Sequence, residues 1–191
     1  MIFSTRRNKP APLVFGANWT YTVPFAHTKS RILNQAVSGW KVNGLLRYNS
    51  GSPISIAGGA GNLGSVGYGQ YGNAVLGVSP YKTTDPSDFD PATSVYLNSA
   101  AFTTSTGFNF GTLGPNPSWI RGFWGKSESL TVGRIFKIRE RFVFDFSADA
   151  TNPFNFVRWG GPNTSLVSAA FGKVTSAQAG RTMQINGTVR F

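Results

Sequence analysis

The chain has 191 residues, 18 of them basic and 7 acidic, for a formal net charge of +11, and it contains no cysteine, which excludes disulfides and thiolate metal sites. Charged residues are only 13% of it, about half the usual fraction in a soluble domain. There are 23 glycines and 14% aromatics, and no apolar run of about 18 residues that would cross a membrane as a helix.

Residues 1–19 lack the apolar core and cleavage site of a secretory signal, so any export signal is expected to lie outside the chain. The basic residues are scattered apart from Arg6-Arg7-Asn8-Lys9 and Lys137-Ile138-Arg139-Glu140-Arg141. That dispersal argues against a nucleic-acid partner and suits a wall facing lipopolysaccharide phosphates.

The first periodic segment is 13–23. Leu13, Phe15, Ala17, Trp19, Tyr21 and Val23 alternate with Val14, Gly16, Asn18, Thr20 and Thr22. Period two is the mark of a strand with two unlike faces. The connection 24–39 is expected to hold a short helical turn around 30–36. Trp40, Val42, Gly44, Leu46 and Tyr48 then alternate with Lys41, Asn43, Leu45, Arg47 and Asn49. In 130–138, Leu130, Val132, Phe136 and Ile138 alternate with Thr131, Gly133, Ile135 and Lys137, and Arg134 breaks the pattern as a bulge, an edge or a mistaken register. In 141–151, Phe142, Phe144, Phe146, Ala148 and Ala150 alternate with Arg141, Val143, Asp145, Ser147, Asp149 and Thr151. In 182–191, Met183, Ile185, Gly187, Val189 and Phe191 alternate with Thr182, Gln184, Asn186, Thr188 and Arg190.

Strands of about 10–12 residues cross a bilayer at a steep tilt, whereas globular strands average about 5–6 residues. The fold class expected is therefore all-β. It is an antiparallel up-and-down meander of about five long strands, a partial transmembrane β-barrel. Only a tight turn fits between Ile138 and Arg141, while long connections follow Tyr48 and Thr151. Short turns on one side and long extracellular loops on the other are the asymmetry of membrane barrels. Tyr21, Trp40, Phe142 and Phe191 fall at the short-turn level, as an interfacial girdle would. The long loops are read as flexible, with Tyr68, Tyr71, Trp119 and Trp124 as candidate ligand contacts. Two alternatives stay open: a soluble basic β-sandwich that binds polyanions, and a passive porin.

Nothing in the sequence assembles an active site, and no enzyme, cofactor or metal is expected. Gly59-Ala60-Gly61-Asn62-Leu63-Gly64 matches G-x-G-x-x-G, but no helix pattern follows it to cradle a phosphate. Asp85, Asp88 and Asp90 read as a solvated turn. His27 is the single histidine. Asp145 and Asp149 are about 13 Å apart by strand rise, too far for a retaining carboxylate pair, and read as lumen-facing polar residues.

The segments together resemble the end of TonB-dependent receptors of the Oar-like group, from about Pro12 to Phe191. Gly39-Trp40 opens a strand that Ser50-Gly51-Ser52-Pro53 closes. Tyr96-Leu97-Asn98-Ser99-Ala100-Ala101-Phe102 is similar to F-N-P-x-A-F, and Arg121-Gly122-Phe123-Trp124 precedes the next strand. Asp149-Ala150-Thr151-Asn152-Pro153-Phe154-Asn155 resembles E-x-F-N-x-F-N. Phe171-Gly172-Lys173-Val174-Thr175-Ser176-Ala177 resembles F-G-x-I-T-S-A, and Arg181-Thr182-Met183-Gln184 opens the last strand. Asp149, Thr151 and Gly180 depart from the pattern, standing where glutamate, phenylalanine and proline are usual.

The resemblance implies an importer of large solutes such as siderophores or carbohydrates in the Gram-negative outer membrane. Its barrel has about 22 strands around a plug, and the parent carries a carboxypeptidase-regulatory-like N-terminal domain. On this reading the chain is the C-terminal part of the barrel, without plug or N-terminal strands, and cannot transport alone. Its partners are membrane lipid and lipopolysaccharide, the remaining strands and plug, and TonB through that plug. The barrel-assembly machinery would read Ile185, Val189 and Phe191 as an assembly signal by strand addition.

Overall fold

The computed structural model describes residues 13–24, 34, 37–58, 70–82, 89–139 and 142–191, the side chains of 138 and 139 apart. The described residues are built from β1 (Val14–Thr22), β2 (Lys41–Asn49), β3 (Asn73–Ala74), β4 (Phe102–Thr103), β5 (Gly125–Arg139), β6 (Phe142–Thr151) and β7 (Thr182–Arg190). Asn34 and Val37 are helical, and the rest of the helical turn expected around 30–36 lies outside the described residues.

Five strands form one antiparallel sheet in the order β1-β2-β5-β6-β7, and β3 pairs with β4 separately. Each long strand thus lies beside its neighbour in the chain, as expected of a meander. The register carries each apolar set onto one face. Tyr21, Val42, Val132, Ala148 and Ile185 form one row across all five strands, and Trp19, Gly44, Leu130, Ala150 and Met183 form the next such row on that face. The row between them, Thr20, Asn43, Thr131, Asp149 and Gln184, lies on the opposite face and is polar throughout. A slip of one residue in any strand would reverse this sorting.

The strand expected over 130–138 is longer than its periodicity showed: it begins at Gly125. Its first half puts Lys126 and Glu128 on the apolar face, opposite Tyr48 and Leu46, which hides the strand from a hydrophobicity pattern. Arg134 marks neither bulge nor edge. It pairs regularly with Phe146 in the central strand of the sheet, and the register shift falls between Lys137 and Arg139.

No second sheet covers the apolar face among the described residues. Phe15 is 59% exposed, Ile185 73% and Met183 68%. That overturns the β-sandwich alternative, which needs those side chains interdigitated across an interior. Two glycines on this face have aromatic cover. A Cβ at Gly44 would overlap the ring of Trp19, and one at Gly187 would lie 3.2 Å from Phe144. Aromatics laid over strand glycines help hold the register.

The chain separates into two compact units, the sheet with its adjoining segments in one, and Ser50–Trp124 with Trp159–Gln178 in the other. The second unit corrects the expectation of flexible loops. Ile56, Phe89, Tyr96, Leu97, Ala101, Phe102, Ile120, Phe171 and Val174 form a buried core. The motif residues build it: Tyr96 and Leu97 enter it, Asn98 caps the 3-10 turn Ser99–Ala101, and Phe102 meets Phe171 edge-on at 5.7 Å. Gly172 has φ +75 and no room for a Cβ against Leu97, so only glycine meets both demands.

Candidate functional site

Arg121 organises the loop unit. Its guanidinium donates to the Gly51 carbonyl at 2.9 Å and to the Ser118 carbonyl at 3.0 Å. Its backbone N–H donates to the Tyr81 hydroxyl at 2.7 Å, and its carbonyl accepts from the Tyr96 hydroxyl at 2.8 Å. Burial pushes both phenols above their ordinary ionisation range; Arg121 opposes this at Tyr81, while Tyr81 adds to it at Tyr96. Two backbone segments meet in a seam, with Gly122 N–H donating to Ser52 and Ile54 N–H to Ile120, each at 2.9 Å. A Cβ on Gly51 would overlap the Gly122 carbonyl.

Beside this seam lies an open groove of about 410 Å³, whose lining includes Phe123, Trp159, Ser52, Ser55, Pro162 and Thr164. Phe123 packs at 4.2 Å on Tyr96 and Trp159 meets Phe89 edge-on at 6.0 Å. Both are therefore fixed by the core while they line the groove. A second recess of about 300 Å³ is lined by Asn73, Asn109, Phe110 and hydroxyl side chains including Thr104, Thr106 and Thr112.

The residues expected as ligand contacts are not brought together. Tyr68 lies outside the described residues. Tyr71, Trp119 and Trp124 line neither recess. Tyr71 is held by its backbone, its N–H donating to Phe110 at 2.9 Å and its carbonyl accepting from the Ser105 hydroxyl. Trp119 packs against the core, and Trp124 is 54% exposed. Phe123 and Trp159 line the groove instead. The only sequence signal for them was their neighbourhood, the Arg-Gly-Phe-Trp motif and the Trp-Gly-Gly-Pro turn.

His27 and the match at 59–64 lie outside the described residues, as do Asp85 and Asp88. Asp90 spends its carboxylate on its own turn, accepting from the Ala92 N–H at 2.9 Å and the Thr93 hydroxyl at 3.2 Å.

In the wall, the polar face carries a continuous network. The Thr131 hydroxyl and the Asn186 amide donate to Asp149 at 2.6 and 2.9 Å, and Gln184 donates to Asn186 at 2.8 Å. Arg190 pairs with Asp145 at 3.3 Å. On the apolar face the register puts Tyr21 level with Val132, midway along β5, and Trp40 next to Lys41, which pairs with Gly133, whereas Phe142 pairs with Arg139 at the turn end and Phe191 follows β7 at that end. Ile185 and Val189 share the face, and the outer edge of β7 has no partner strand among the described residues.

Charges on the apolar face are managed at the loop end by the segment after β6. Arg158 pairs at 2.9 Å with Glu128, whose side chain is fully buried. Lys126 sits 4.9 Å over the Phe156 ring. Asn152, fully buried with φ 52, makes the turn: it exchanges side-chain hydrogen bonds of 2.9 Å with the Phe156 N–H and carbonyl.

A five-stranded antiparallel meander, apolar on one face and polar on the other, has the two-faced pattern of a membrane-barrel wall. No curated protein and no solved structure matches the chain. The family model described as an outer membrane beta barrel domain matches residues 8–184. The chain belongs to that outer membrane beta barrel family, and its place is the outer membrane.

Proposed function

We propose that the chain supplies wall, outer loops and assembly strand to a TonB-dependent importer of a large solute, a siderophore, carbohydrate or similar molecule, in a Gram-negative outer membrane. The observation that carries this reading is the groove between Phe123 and Trp159, ligand-sized at about 410 Å³ and held by a core of its own. Pockets that bind organic ligands run to about 300–1,000 Å³ with aromatic walls and a few polar groups. The motif order along the chain supports the Oar-like assignment. Further strands and a plug complete the barrel, because an open sheet edge does not persist in lipid.

In this reading the chain catalyses no reaction. Tyr21, Trp40, Phe142 and Phe191 form the girdle on the periplasmic side, and Ile185, Val189 and Phe191 are read by the assembly machinery through the bare edge of β7. The whole receptor, expressed with and without TonB and fed a panel of ferric siderophores and oligosaccharides, tests the function. Uptake of at least one that vanishes without TonB is expected. Uptake indifferent to TonB would identify a passive porin.

A further inference from the structure

We infer that Arg134, with Trp40, Phe136 and Phe146, forms a binding site for the phosphate headgroup of an anionic phospholipid in the leaflet at the turn end of the wall. The inference rests on the wall reading above.

Arg134 sits on the lipid-facing side of the central strand, in a row with Phe146 and Gly187. Since Lys41 pairs with Gly133, Trp40 comes level with it. A charge on the lipid side of a barrel costs about 2–4 kcal/mol at the midplane and falls to about 0–1 near the interface. From Glu128 to Arg134 the strand rises about 20 Å along its own axis, or about 15 Å of depth at the roughly 40° tilt of such strands, less than the ~25 Å apolar band. The Arg134 backbone is therefore inside the band, and its side chain must reach out of it.

The contacts show the direction. The guanidinium carbon lies 4.5 Å from the Phe136 ring centre and 6.0 Å from that of Trp40. Phe136 is two residues nearer the turn, so the head is carried toward the nearer interface along an aromatic track. The track is fixed: Trp40 meets Phe136 and Phe146 edge-on at 6.2 and 6.0 Å, and Phe136 stacks on Phe144 at 6.0 Å.

A guanidinium on the lipid side, turned toward the turn end and framed by rings that suit acyl chains, matches an oxyanion on a lipid. Arginine's rigid fork engages phosphate bidentately where lysine offers only a point charge. The leaflet at the turn end supplies phospholipid, whereas lipopolysaccharide occupies the leaflet at the loop end.

The test uses the whole receptor, with the further strands that close the barrel, in maltoside micelles. Phosphatidylglycerol, diacylglycerol and lipid A are titrated in, and bound lipid is counted by native mass spectrometry. Phosphatidylglycerol is expected to be held about tenfold more tightly than diacylglycerol. Arg134→Gln should abolish that preference, Arg134→Lys should keep part of it, and Arg190→Gln on the opposite face should leave it intact. Equal retention of the two lipids by the unaltered receptor overturns the inference. So does an unchanged preference in Arg134→Gln, or a loss confined to lipid A. If Arg134→Gln loses its β-sheet circular dichroism, the headgroup comparison on the unaltered receptor decides. Brominated acyl chains separate the two readings. Failure to quench tryptophan fluorescence sinks the wall itself, while quenching without headgroup preference sinks only the Arg134 site.

Discussion

At Tyr96 and Tyr81 the loop unit stores a pH dependence. Burial raises both phenols above the 10.0 of an exposed tyrosine, so the folded unit resists ionisation that the unfolded chain accepts. The stabilising contribution is whole below about pH 10 and is lost as the pH climbs toward the raised values. Near-ultraviolet circular dichroism should hold steady to that point and then collapse together with the last part of the tyrosinate absorbance, that of Tyr81 and Tyr96. Tyrosinate absorbance reaching its full six-tyrosine value before the collapse would show these phenols to be open to water. Gly51 offers a steric counterpart. Gly51→Val drives a side chain into the Gly122 carbonyl and should cost about 1–3 kcal/mol, seen as faster proteolysis of the 50–124 segment with the sheet still intact. Asn152→Ala removes two hydrogen bonds at a buried left-handed turn and should cost about 2–3 kcal/mol, read from the urea midpoint. Residues of this kind were poorly legible in the sequence. Glu128 and Lys126 look wrong for an apolar face until Arg158 and Phe156, some thirty residues on, come to cover them. Arg134 looks like a defect until its row of rings is known.

Among the strands, the two faces make opposite demands on neighbouring residues. Val132→Lys places a charge on the apolar face and should cost at least about 1 kcal/mol more than Thr131→Lys, one position away on the wet face. Urea unfolding of the whole receptor in phosphatidylcholine vesicles gives both values, and equal costs would refute the two-faced wall. Here the sequence was most legible. Period-two alternation is local, so β1, β2, β6 and β7 could be placed to within a residue or two from pattern alone. The first half of β5 could not, because its charges are compensated by a segment beyond the next strand. The loop core escaped for a different reason. Irregular backbone carries no period, so Ile56 and Ile120 gave no pattern to detect, although Tyr96, Phe102, Phe171 and Val174 already stood inside the family-like motifs.

On the scale of the whole chain, two long insertions leave the wall and share one interior. Phe102 from the first closes on Phe171 from the second, and Gly172 accepts the Tyr96 and Leu97 N–H groups through its carbonyl. Neither insertion has a complete interior of its own. Recombination between relatives should therefore be all or nothing at this level. Transplanting residues 54–120 alone into a related barrel is expected to yield a receptor trimmed by protease at the cell surface, whereas moving 54–120 and 163–174 as a matched set restores resistance. Cargo preference, if it resides in these insertions, would then be inherited as a pair of separated gene segments that diversify in step while the strands between them stay put.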